Sequence, residues 1–155
     1  MAYTLDKKLV VGISTRALFD LEKENEIYEN EGLDAYRNYQ KEHEEDILEP
    51  GTGFRLIKNL QNLVVDDESL TETVVISRNS SETSLRVFNS INHYGLDIKR
   101  AVLSGGTRTL PYLDTFKTDL FLSANEEDVE DAVNGGFAAG LIYPSRYEDE
   151  DDGII

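Results

Sequence analysis

Cysteine is absent from the 155 residues, so disulfides, thiolate nucleophiles and cysteine-bound zinc are all ruled out. Positive charge is scarce: 15 lysines and arginines face 31 acidic residues, a formal net charge of −16. Duplex binding needs a basic face, so nucleic acid is not an expected partner. No apolar run reaches the roughly 18–20 residues of a membrane span, and the first residues lack a signal-peptide pattern. The expectation is therefore a cytoplasmic protein with no membrane partner. Gly-x-Ser-x-Gly, Walker and Gly-x-Gly-x-x-Gly signatures are also missing. What is present, 39% hydrophobic and 30% charged residues, suits one globular domain with a core. That domain is expected over residues 1–146, followed by an acidic, disordered tail at 147–155.

The acidic excess is unevenly placed. Residues 20–49 hold 12 acids against Lys23, Arg37 and Lys41, and 148–152 are five acids in a row. Residues 51–117 instead carry eight bases and seven acids. The centre of the chain can therefore meet a small anion, while the acidic runs read as solvated helix faces or tail.

Short β-branched runs alternate with helix-period segments. Leu9-Val10-Val11-Gly12-Ile13, Val74-Val75-Ile76, Ala101-Val102-Leu103, Leu120-Phe121-Leu122 and Ala139-Gly140-Leu141-Ile142 read as five buried strands. Phe54, Ile57, Leu60, Leu63 and Val64 mark one amphipathic helix. A second is expected over 82–94, with Leu85, Phe88 and Ile91 as its apolar stripe and Gly95 as its stop. Asn125 should cap a further helix, and residues 22–48 suggest two helices broken near Gly32. The predicted class is α/β: a Rossmann-like, mostly parallel sheet with helices on both faces.

Ligands of such sheets bind beyond the carboxyl ends of the strands. There the chain has Ser14-Thr15-Arg16, Ser77-Arg78-Asn79, Ser104-Gly105-Gly106-Thr107-Arg108 and Ser123-Ala124-Asn125. Hydroxyls and arginines on one rim suit a phosphate, and Gly105-Gly106 would let backbone N–H groups approach it. Ser14, Thr15, Arg16, Ser77, Arg78, Asn79, Gly105, Gly106, Thr107 and Arg108 are the expected nucleotide or phosphate contacts. Phe54 or Tyr112 is a candidate to stack on a base. Carboxylates are missing at these tips, so neither catalytic nor metal-binding residues are assigned. His43 and His93 lack a second ligand at metal spacing and read as structural.

Further segments carry a family resemblance: Ser14-Thr15-Arg16-Ala17-Leu18-Phe19, Pro50-Gly51, Asn89-Ser90-Ile91-Asn92-His93-Tyr94, Gly105-Gly106, Asp119-Leu120-Phe121-Leu122-Ser123-Ala124 and Pro144-Ser145-Arg146. The chain resembles the cytosolic 5′-nucleotidase I family of the haloacid-dehalogenase-like class, specifically its N-terminal half. The resemblance puts Ile13 and Thr15 where the paired aspartates of motif one would stand. Ser77 falls at the motif-two hydroxyl, Arg108 near the motif-three lysine, and Ser123-Ala124 where metal-binding acids would be. It implies a pseudoenzyme: a non-catalytic nucleotide-binding protein that needs no cofactor. Small size, missing catalytic acids and a cationic rim suggest that such a chain could sequester a nucleotide signal, for instance as a viral sponge against host defence. The first alternative is a Mg²⁺-dependent nucleoside 5′-monophosphate phosphatase, using Asp20, Asp114 or Asp119. The second is an acidic protein-interaction module. Homo-oligomerisation stays open.

Overall fold

The computed structural model describes residues 8–144, so the expected acidic tail at 147–155 lies outside the described residues. In chain order the elements are β1 (Leu9–Ile13), α1 (Thr15–Leu18), α2 (Glu22–Glu31), α3 (Leu33–Glu42) and α4 (Phe54–Gln61). Then follow β2 (Val64–Val65), β3 (Glu68–Ser69), β4 (Thr71–Ser77), α5 (Ser81–His93) and β5 (Arg100–Leu103). The chain continues through α6 (Leu110–Thr115), β6 (Leu120–Ser123), α7 (Glu126–Asn134) and β7 (Ala138–Leu141).

All five predicted strands form, and they pair in parallel in the order β5-β4-β1-β6-β7. Side chains alternate across the sheet, as a period of two demands. Val11, Ile13, Val75 and Leu122 join one apolar cluster with α1, α4 and α5. Val10, Val74, Ile76 and Phe121 join another with α6 and α7. The expected two-faced α/β architecture is therefore the observed one. Chain order reverses at β1: one branch runs through β4 to β5, and the other through β6 to β7. That reversal opens a crevice at the carboxyl ends, where doubly wound sheets place their ligands.

Helix details needed correction. The α4 helix ends at Gln61, and Val64 sits in an exposed two-stranded hairpin instead of extending its stripe. Asp66 and Asp67, both at positive φ, make the tight turn of that hairpin. On α5 the expected stripe is also rotated. Thr83, Arg86, Val87, Ser90 and Ile91 are buried, while Leu85 and Phe88 are exposed. The buried face is half polar because it meets α3 and the acidic loop after it, so hydrophobicity alone points the helix the wrong way. The break near Gly32 is real; its φ of +92° suits glycine.

Gly51 packs its Cα against the backbone of Phe19, and a Cβ there would lie 2.7–2.9 Å from three Phe19 backbone atoms. Phe19 also bridges Pro50, and the Gly51 N–H bonds the Leu18 carbonyl at 2.9 Å. Gly51→Ala must push this crossing apart and is expected to cost about 2–3 kcal/mol, read as a lowered denaturation midpoint.

Candidate functional site

Beyond the strand tips lies a cleft of about 460 Å³, within the range of small-molecule sites. Ser14, Thr15 and Arg16 line it from β1 and α1; Ser77, Arg78 and Asn79 follow β4; Gly105 and Gly106 follow β5; Ser123 and Ala124 end β6. The opposite wall comes from α2 and α3 and includes Glu24, Tyr28, Leu33, Tyr36 and Arg37. Eight of the ten residues singled out in the sequence thus converge. Thr107 and Arg108 do not line the cleft. The Thr107 hydroxyl donates to the Ser104 carbonyl at 3.2 Å, and Arg108 turns outward onto Asp131.

The floor is a chain of neutral hydrogen bonds. The Thr15 N–H donates to Ser77 Oγ at 3.2 Å, and the two hydroxyl oxygens lie 3.1 Å apart. Both hydroxyls donate to Asn79 Oδ1, that of Ser77 at 2.6 Å. Asn79 Nδ2 in turn donates to the Tyr36 hydroxyl at 3.3 Å, which sits 2.7 Å from Thr83 Oγ1. Ser14 Oγ accepts from the Ala17 and Ala124 N–H groups at 3.3 and 3.1 Å, tying the β1 tip to the β6 tip.

The glycines behave differently from expectation. Gly105 and Gly106 do take positive φ, at +65° and +97°. Their N–H groups, however, donate to the Asn79 and Arg78 carbonyls at 3.0 and 2.8 Å. They lock the β4 and β5 loops together instead of offering donors to an anion.

The arginines are similarly committed. Arg78 forks onto Asp128, with Nε 2.9 and 3.0 Å from the two carboxylate oxygens and Nη2 at 2.6 Å. These hydrogen bonds raise the Arg78 pKa. Arg16 Nε meets Glu22 at 2.9 Å, and Arg37 Nε lies 3.7 Å from Glu82. Hydrogen bonding to Asp131 likewise raises Arg108, and the reciprocal bond lowers Asp131. The expected cationic rim is a set of ion pairs.

Aromatic expectations also shift. Phe54 packs between Phe19 and Tyr94 in one core, and Tyr112 packs against the other. The rings at the cleft are Tyr28, 51% exposed, and Tyr36, edge-on to it with centroids 5.8 Å apart. His43 stacks on Tyr39 and His93 lies against Tyr94, so both keep the structural place expected of them.

The resemblance raises Mg²⁺ as a cofactor, and the donor set does not fit it. A hard dication takes carboxylate and other oxygen ligands. Ile13, which the resemblance sets at one motif-one position, is buried in the core, and Thr15, which it sets at the other, is tied to Ser77 and Asn79. The cleft's carboxylates, Glu24 and Asp128, are each held by an arginine, Arg86 at 2.7 Å and Arg78 at 2.6 Å. Among the described residues no three His, Asp or Glu side chains gather as a cation site. The aspartates considered for a phosphatase stand elsewhere: Asp20 bonds the Glu22 N–H, Asp114 lies on α6, and Asp119 bonds the Val10 N–H at the opposite end of β1. Sequence reasoning gave no site role to Glu24, Tyr28, Tyr36 or Asp128: Tyr28 and Tyr36 stand out only through the family resemblance, and Glu24 and Asp128 read as solvated helix acids.

A doubly wound parallel sheet with its cleft at the reversal point defines a Rossmann-like α/β protein, the architecture that the haloacid-dehalogenase-like class shares. The chain belongs to the 5′-nucleotidase family, whose model it matches over residues 1–154. It is 36% identical over 142 residues to human cytosolic 5′-nucleotidase 1B, covering 87% of this chain and 23% of that protein. The chain thus spans about a quarter of the length of that relative. Among the described residues no helix is long and apolar enough to cross a membrane.

Proposed function

We propose that this chain binds a nucleoside 5′-monophosphate, or a closely related nucleotide, in the strand-tip cleft without hydrolysing it. The observation carrying this reading is the floor itself. Hydroxyls and amides from three strand ends meet in one cleft, where the positions that the resemblance gives to the nucleophile and metal ligands hold Ile13, Thr15 and Ser123 in place of carboxylates. Phosphoryl transfer in such a fold depends on a carboxylate nucleophile and a held cation. Neither chemistry is available from these side chains, whereas binding needs only polar contacts and a ring to stack on. Tyr28 suits the base, and Leu33 lines the same wall. A chain of this kind would hold its nucleotide instead of consuming it, as sequestration of a nucleotide signal requires.

Family membership favours a second reading, an active Mg²⁺-dependent phosphatase. Titration calorimetry with a panel of nucleotides and a Mg²⁺-dependent phosphate-release assay separate the two. Heat with at least one nucleotide and release at background are expected. Tyr28→Ala should weaken that binding about tenfold, since stacking on a ring contributes about 1–3 kcal/mol per base. No heat with any nucleotide overturns the binding reading; sustained phosphate release overturns the non-catalytic one.

A further inference from the structure

The direction of the hydrogen bonds on the cleft floor restricts what can sit there. Asn79 Oδ1 lies 2.6 Å from Ser77 Oγ, a separation suited to O–H···O and short for an amide N–H. The carboxamide oxygen therefore faces the hydroxyls, and both the Thr15 and Ser77 hydrogens are spent on it. In this orientation Nδ2 faces the Tyr36 hydroxyl, which can accept from it at 3.3 Å. With their hydrogens turned away, neither Thr15 nor Ser77 has a proton to give to the cleft, and Ser77 Oγ, which already accepts the Thr15 N–H, keeps one lone pair. Next to them Ser14 Oγ already accepts two N–H groups and keeps its own hydrogen to give. The floor thus holds a donor on one side and acceptors on the other.

A phosphate dianion has no hydrogen to give, and against Thr15 and Ser77 it would set lone pair against lone pair. A singly protonated phosphate matches both sides: its charged oxygens accept from Ser14, and its O–H donates to Ser77 or Thr15. The surrounding charges do not override this preference. Arg16 is paired with Glu22, Arg37 with Glu82, Arg78 with Asp128 and Glu127, and Arg86 with Glu24. Tyr28 and Tyr36 are the other titratable side chains at the cleft, and no histidine lines it. The ligand is therefore the group facing the floor whose ordinary titration falls near neutral pH.

We infer that the floor formed by Ser14, Thr15, Ser77 and Asn79 selects the monoanionic, protonated form of a phosphate monoester over the dianion. The inference rests on the nucleotide-binding reading and sharpens it. The second pKa of a phosphate monoester is about 6, so the monoanion falls from about half of the ligand near pH 6 to about 1% near pH 8. Affinity should follow that fraction.

The test is calorimetry of the full chain with adenosine 5′-monophosphate at about pH 6, 7 and 8. Binding is expected to weaken about fifty-fold across the range. Adenosine 5′-sulfate, which carries one charge and no proton, is expected to bind at least about tenfold more weakly than the monophosphate at the lowest pH, with no pH trend. Asn79→Ala frees both hydroxyl hydrogens and should reduce the fifty-fold change to about threefold or less. Tyr36→Phe lets the carboxamide rotate and should also flatten the profile, serving as the check if the first variant folds poorly. A wild-type affinity that is flat or rises with pH overturns the inference and leaves nucleotide binding standing, as does a sulfate ester bound as tightly as the monophosphate. If adenosine 5′-monophosphate gives no heat, the same pH series is run with each nucleotide of the panel, and no heat with any of them at any pH removes both readings together.

Discussion

Arg86→Ala is expected to lower stability by about 3–5 kcal/mol and the melting temperature by roughly 6–20 °C. Arg86 is buried on α5 and ties three segments at once: its Nη1 donates to Glu24 of α2 at 2.7 Å and to Gln40 of α3 at 3.1 Å, and its Nε to the Asp46 carbonyl at 2.9 Å. Glu24 is buried as well. Removing the guanidinium strands a carboxylate away from water, and that uncompensated charge dominates the loss. Arg86→Lys should recover little, because one ammonium cannot serve three acceptors in the guanidinium plane. Replacing both partners, as in Glu24→Leu with Arg86→Met, should restore most of the loss by removing the charge together with its counter-charge. Chemical denaturation of the three variants checks this order. A double variant no better than Arg86→Ala alone would mean that the hydrogen bonds to Gln40 and Asp46, and not the stranded charge, set the cost.

The same contacts explain how much of the fold was legible beforehand. The strands could be read because a buried parallel strand is an uninterrupted apolar run, and Val74-Val75-Ile76 leaves little alternative. Their carboxyl ends followed, and with them Ser14, Thr15, Ser77 and Asn79. The polar helices carried no such mark. Glu24 and Tyr28 look like surface residues of an acidic helix, yet one is buried by an arginine 62 residues away and the other walls the cleft. Leu85 and Phe88 look like core and are exposed, because α5 turns Arg86 and Ser90 inward to satisfy polar groups of α2, α3 and the following loop. Apolar periodicity locates a helix but does not orient one whose buried face is organised by ion pairs. Arginine at a strand tip is likewise legible as a residue type, whereas its partner is fixed only by the fold.

Arg78 turns that last point into a measurement. Read as a free cation on the rim, it predicts that Arg78→Ala weakens ligand binding and leaves stability alone. Its fork on Asp128 predicts the reverse emphasis. Asp128 is 3% exposed at the start of α7, where its N–H also bonds the Asn125 cap at 3.0 Å. Arg78→Ala strands this carboxylate at the edge of the cleft and should cost about 2–4 kcal/mol, somewhat below the Arg86 case because Arg78 is itself partly solvated. Asp128→Asn, which keeps a polar group and removes the charge, should cost only about 1–2 kcal/mol. In Arg78→Ala with Asp128→Ala the deficit should be smaller than in Arg78→Ala alone. An Arg78→Ala chain that melts with the parent would return this residue to the role of a free phosphate ligand.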